Sequence, residues 1–279
     1  MIDVPGLLYS TVTLLTPILL AGLAELLVER SGILNLSIEG VMLMGSFAGF
    51  MTAFYTGSLG NAELVAAGAG AALSLLFAFL VITLALDQMV TGLALNLLTI
   101  GITSYLYRAS FGWYVSPVPP HIEQMVQPLA IPLLSEIPVV GKALFDQVPL
   151  TYAAFALVGV SWWFLSKTET GLKARAIGED PQIADYLGTN VNLTRYLLLL
   201  LEGIIAGAAG ALLSTAYYNM FLDNMTLGQG YIAVALVILA RWNPLLLLGG
   251  TFLFSFIDAL QLRIQAAGFT FFPHQFALM

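Results

Sequence analysis

Glu202 stands about two turns inside the apolar run 195 to 218, with no charged residue near it along the chain. An ionisable side chain at such a depth in lipid is costly, so it is a functional candidate by default. Glu25 and Asp258 also lie in apolar runs, but each is within about a turn or so of an end and is expected to reach water. Asn96, with Thr99 and Thr103 at helical spacings, lays a polar stripe along another run. Such a stripe either bonds neighbouring helices or lines a passage, and the sequence leaves both open.

None of these groups forms a catalytic set. There is no phosphate-cradling GxxxxGK[ST] pattern, no GxSxG elbow and no HExxH helix. His121 and His274 stand alone, and the chain has no Cys, so no metal site is expected. The chain reads as a conduit rather than an enzyme, and any ATP hydrolysis has to come from another subunit.

One internal echo points to where a conduit would run. Residues 35 to 40 read NLSIEG and open an apolar helix; 224 to 230 read NMTLGQG and open a shorter apolar piece. Paired Gly-interrupted segments in the two halves of a transporter point to a substrate site formed by broken helices. The substrate-path candidates are Asn35, Ser37, Glu39, Asn96, Asn224, Thr226 and Gln229, with helix N-termini aiming amide dipoles at the path.

The elements that must position these residues follow from composition. Of 279 residues, 59% are hydrophobic and 9% charged, with mean hydropathy +0.92. A soluble domain carries about 25% charged residues, so this is an all-α polytopic membrane protein, a single transmembrane domain over 1–279. Spans are expected near 8–28, 37–56, 62–86, 88–107, 150–166, 195–218 and 244–262, with a half-length piece at 229–240, about 8 transmembrane or half-membrane helices in all. No basic region precedes the first apolar run, so that run is expected to be a span and not a cleaved signal. The small-residue runs 66–72 and 203–210 suit close helix packing. A net charge of -7 argues against a nucleic-acid partner.

Two loops stand out. Residues 108–149 hold seven of the twelve prolines together with Trp113 and Tyr114, and irregular backbone at the membrane interface is expected there. Residues 167–195 carry Lys167, Lys173, Arg175 and Arg195, which places that segment in the cytoplasm and the proline-rich loop outside. Within it, Asp180 followed by Pro181 starts a helix and Gly188 ends it, with Ile183, Ala184 and Leu187 on one face. A plain connecting loop and a docking knob for a cytoplasmic subunit both fit that pattern.

The stretches ERSGILNLSIEGVMLMGSFAG (Glu29 to Gly49), ARAIGEDPQIADYLGTNV (Ala174 to Val191) and GQGYIAVALVILARWNP (Gly228 to Pro244) resemble the membrane permeases of bacterial ABC importers. More narrowly, they are similar to the simple-sugar and nucleoside branch, related to ribose and branched-chain amino acid permeases. The resemblance implies a cytoplasmic coupling helix within Gly178 to Gly188, with Glu179, Asp180, Pro181, Ile183 and Leu187 seated in an ATP-binding subunit. It further implies a second permease in a heterodimer, an external substrate-binding protein, ATP and Mg on the partner ATPase, no cofactor on this chain, and a multi-pass place in the bacterial inner membrane. Members of the family usually end in a further apolar helix, whereas here only 16 residues follow Arg263. The alternative is an ion- or proton-coupled secondary transporter in which Glu202 carries the proton and 167–195 is only a linker. It ranks below the importer because no charged relay to Glu202 is evident in the sequence. A scaffold without transport is the third class.

Overall fold

The computed structural model describes residues 3–112, 119–132, 134–135, 137–138 and 140–266. The aromatic pair Trp113 and Tyr114 and the tail containing His274 lie outside the described residues. Eleven helices follow one another among those described: α1 (Val4–Glu29), α2 (Ile38–Thr56), α3 (Leu59–Ala78), α4 (Gln88–Phe111), α5 (Gly141–Phe145), α6 (Pro149–Lys167), α7 (Glu169–Glu179), α8 (Pro181–Tyr186), α9 (Val191–Leu212), α10 (Gln229–Leu239) and α11 (Pro244–Ala266). α3 and α9 each run on into a single widened π turn, Phe79–Thr83 and Leu213–Tyr217. With those turns included, seven helices are long and apolar enough to cross a membrane.

Polar caps set five of the helix starts. Ser58, Asp87, Thr168, Asp180 and Asn190 each accept first-turn amides of the helix that follows. Asp87 explains why the third span stops at Thr83 rather than 86: Leu84–Leu86 are apolar, but the Val90 N–H donates to Asp87 Oδ1 (2.9 Å) and a new helix begins.

α1 is the axle of the bundle. Its most apolar window is 89% buried, against 22% for α11 and 28% for α6, which pack around it with α9 and α10. Beside it, α2, α3 and α9 form a tight layer through small residues. A Cβ at Gly207 of α9 would lie 2.5 Å from the Ala66 carbonyl oxygen of α3, and one at Gly210 would lie 1.9 Å from that of Met42 in α2. Backbones this close also exchange polar contacts: Ser46 Oγ donates to the Gly210 carbonyl (2.6 Å), and Ser214 Oγ donates to that of Ser46 (2.8 Å).

The helix ends gather at two faces. One carries α7, α8 and the turns around Arg30, Gln88 and Trp242; the other carries Asp3, Arg263 and the proline-rich segment. That segment is more regular than its prolines suggest. Strand β1 (Leu129–Ala130) pairs antiparallel with β2 (Asp146–Gln147), and α5 lies between them. A strap from His121 to Val126 is pinned beneath, the Ile122 N–H donating to the Asn219 carbonyl (2.8 Å) and Val126 N–H to that of Thr215 (3.2 Å). At this face seven rings from Phe47 to Phe221, scattered in sequence, gather in one cluster.

The glycine seam predicts that Gly210→Val, which drives carbon into the Met42 backbone, abolishes monodisperse recovery of the protein from membranes. Gly101→Ala, with nothing within 4 Å of its Cβ, should leave the size-exclusion profile unchanged.

Candidate functional site

The two echo segments meet. After α1 ends, residues 30 to 37 turn back into the bundle before α2 begins. Arg195 Nε donates to the Ser31 carbonyl (3.1 Å), while four residues later the Asn35 side chain reaches Glu202. Glu202 is two turns along α9 from Arg195, about 10 Å at 1.5 Å per residue. α2 therefore starts at depth and not at a surface.

Asn35 is fully buried and organises that start. Its N–H donates to Glu25 Oε1 (2.9 Å) and its Nδ2 to both oxygens of Glu202 (3.0 and 2.9 Å). Its Oδ1 accepts from the Ser37 N–H (2.9 Å) and Oγ (2.5 Å). Two expectations are overturned here. Glu25 does not reach water: it is fully buried, because the returning 30–37 segment covers the helix end that seemed its exit. Nor is Glu202 isolated from other buried charge, since Asn35 joins it to Glu25. Asp258 is half-buried, and α11 continues past it to Ala266, so it stands further from the helix end than expected.

α10 begins at the same place. Gly228 takes a left-handed φ of +85° and has no capping side chain of its own. The cap comes from α2. Glu39 Oε1 accepts from Thr226 Oγ1 (2.5 Å) and the Gly228 N–H (2.8 Å), and Oε2 accepts from the Gly230 N–H (2.7 Å). A carboxylate at exposed helix amides satisfies donors and opposes the positive end of the helix dipole. Eleven residues make α10 about 16 Å long, roughly half a hydrocarbon core. The two broken helices thus run away from one shared carboxylate.

The seven path candidates separate. Asn35, Ser37, Glu39 and Thr226 are buried in this junction and bonded within it. Asn96 lies beside it, against Gly40; its Nδ2 donates to the Tyr231 hydroxyl, and its Oδ1 is buried without a partner among the described residues. Gln229 is half-buried, and its Oε1 has no partner among the described residues, while Asn224 sits exposed in a left-handed turn just before Thr226. Thr99 and Thr103 bond carbonyls of their own helix, so those two members of the α4 stripe offer no hydroxyl donor to a passage, and α4 packs against α2. Tyr231 was missed by the sequence reading; its spacing to Asn96, 135 residues, offers no local signal.

At the other candidate region, Asp180 Oδ1 accepts the Gln182 and Ile183 amides (2.9 and 3.1 Å), Pro181 opens α8, and Gly188 closes it at φ +83°. Glu179 is exposed, and Gly178 packs on the Arg30 carbonyl. The expected face is wrong in one member: Ala184 turns inward at 2% exposure, whereas Ile183 (57%), Tyr186 (90%) and Leu187 (79%) face outward. The preceding helix α7 was also missed, though Thr168 caps it and Lys173 bonds Glu169 (2.6 Å), holding that carboxyl below its usual range.

The opposite face holds a cavity of about 640 Å³ between the starts of α3 and α6, under the strap, with Glu63 on its wall. Among the described residues no cluster of His, Asp and Glu could hold a metal ion.

Comparison with known proteins assigns this geometry a context. The family described as "Branched-chain amino acid transport system / permease component" matches residues 7–272. The chain is 41% identical over 269 residues, 96% of its length and 80% of the relative's, to the "Putative glucose ABC transporter permease protein TsgC13" of Haloferax volcanii. It is 34% identical to the "Guanosine ABC transporter permease protein NupQ" of Bacillus subtilis, covering 91% of this chain and 81% of that one. A second guanosine permease protein of the same organism, NupP, is 25% identical over 81% of this chain and 66% of its own. No solved structure matches.

Removing the shared carboxylate with Glu39→Ala strands three donors, each worth about 1.5–3 kcal/mol when bonded to a charge. Denaturation in detergent should show a loss of about 3 kcal/mol or more, with Glu39→Gln intermediate because one acceptor oxygen survives. Wild-type stability for Glu39→Ala would remove the junction's structural role.

Proposed function

The chain belongs to the permease-component family of branched-chain amino acid transport systems, and we propose that it serves its importer as one half of a path for nucleosides, with simple sugars as the alternative class. It is a multi-pass membrane protein and the permease subunit of an ABC importer. Two guanosine permease proteins in one organism support pairing with a second permease, in our reading as a heterodimer. The guanosine and glucose relatives support the substrate classes. The remaining parts of the assembly are proposed: an ATP-binding subunit that holds ATP and Mg, an external binding protein at the strap face, and a plasma-membrane location, the inner membrane in a bacterium.

The observation that carries this reading is α8. A capped six-residue helix that turns Ile183, Tyr186 and Leu187 to solvent while burying only Ala184 is marginal alone and suits a groove on another subunit. Displacement entering there has a short physical route. Gly178 presses on the Arg30 carbonyl, Arg30 Nη2 donates to the Trp242 carbonyl (3.3 Å) just beyond α10, and Arg195 holds Ser31 at the head of the returning segment. Moving α7 and α8 therefore acts on both broken helices, and Glu39 makes them move together. Asn96, Gln229 and Tyr231, with acceptors or hydroxyls at the edge of the junction, are proposed to meet the substrate.

In proteoliposomes holding the full importer, Ile183→Asp with Leu187→Asp should lower ATP-driven uptake of labelled guanosine about ten-fold or more, since an unpaired charge is forced into an interface. Binding of guanosine by the external protein stays intact. Normal uptake would overturn the docking of α8, and uptake of glucose but not guanosine would reassign the substrate.

A further inference from the structure

A second pocket lies at the α7–α8 face, away from the junction. The turn after α10, the last turns of α6 and the middle of α7 enclose about 150 Å³ lined by Arg30, Arg175, Trp162, Trp242, Ser166 and Asn243, among others. Two guanidinium groups thus share one small wall with two indoles. The neighbouring carboxylates do not line it: Glu29 accepts the Trp242 Nε1–H, and Glu179 lies outside.

Trp242 holds the Arg30 side chain in place. Its guanidinium sits 5.8 Å above the Trp242 ring centre and its Nη2 donates to the Trp242 carbonyl, while Nε is a buried donor with no acceptor among the described residues. Burial and the charge of Arg175 both push the Arg30 pKa down, and Glu179 offsets this only in part. Two like charges held together around a gap are stabilised by an anion between them.

The surroundings indicate the carrier of that anion. Trp162 (43% exposed) and Trp163 (57%) lie on the outer side of α6, and Leu245 and Leu246 on the outer side of α11 are more than half exposed. Indoles mark headgroup depth, and the leucines continue as an apolar face along which acyl chains can lie. We propose that this pocket binds the phosphate headgroup of an anionic phospholipid in the leaflet at the α7–α8 face, with Arg30 and Arg175 on the phosphate and Ser166 and Asn243 as further polar contacts.

The test uses the full chain in nanodiscs containing either phosphatidylglycerol or phosphatidylcholine brominated near the glycerol end of the acyl chains. Tryptophan fluorescence should be quenched more by the brominated phosphatidylglycerol. Arg175→Gln should weaken that preference about five-fold, the worth of one basic residue near an anionic surface, and Arg175→Lys should keep most of it. Arg175 is exposed, so neither change threatens folding. Equal quenching by the two lipids, or a preference untouched by Arg175→Gln, would overturn the site. Loss of the preference on adding inorganic phosphate would make a free anion the occupant, and its loss on adding the ATPase subunit would make the pocket part of that interface; either result overturns the lipid assignment.

Discussion

One carboxylate holds together the part of this protein where its two halves meet. Glu39, in the first turn of α2, accepts three donors at the start of α10. Two interrupted helices inside a membrane would otherwise leave amide groups without partners, where water cannot serve them. Asn35 does the corresponding work on the other side of α2, spending its amide groups on Glu25, Glu202 and Ser37. The start of α2 is completed by Asn35 of the returning segment, and the start of α10 by Glu39 of α2, so the short helix depends on the long one for its geometry.

That dependence determines what can move. The layer of α2, α3 and α9 is locked by backbone-to-backbone glycine contacts, and such contacts cannot slide without clashing. α10 is attached to this layer through Glu39 and to the α7–α8 face through the turn that ends in Trp242. A short helix fixed at both ends to different bodies transmits displacement between them. The π turns at Phe79–Thr83 and Leu213–Tyr217 end α3 and α9 of the locked layer at opposite faces, the first beside Tyr196 at the α9 start and the second under the strap, and widened turns of this kind give a helix end room to adjust.

Much of this arrangement was legible in the chain itself. Hydropathy located every long helix to within a few residues, because a length of about 20 apolar residues is imposed by the bilayer and not by tertiary detail. The Asp180–Pro181 and Gly188 signals bounded α8 for local steric reasons. The echo of NLSIEG and NMTLGQG found the junction, but not its chemistry. Thr226 and Glu39 lie 187 residues apart, and nothing in either segment says that the acid of one caps the other. Asn224 misled for the same reason, matching the pattern while standing in an exposed turn. Glu25 misled because distance from a helix end measures depth only when the next residues leave the membrane, and residues 30 to 37 do not.

The uneven burial of the helices carries the argument outward. α1 is enclosed by its own chain, while α4, α6 and α11 bury only about a third or less of their apolar windows. In water such faces would aggregate; in a bilayer they need either lipid or another helix bundle, and a dry surface gains little from either alone. The polar groups decide between them. The face of α6 and α11 carries indoles and ends at the paired arginines, the pattern of a surface in contact with headgroups. α4 and α10 bring Asn96 and Tyr231 to the edge of the junction, and polar groups there are poorly served by lipid. A second helix bundle on the α4–α10 side would convert that polar edge into the wall of a shared path.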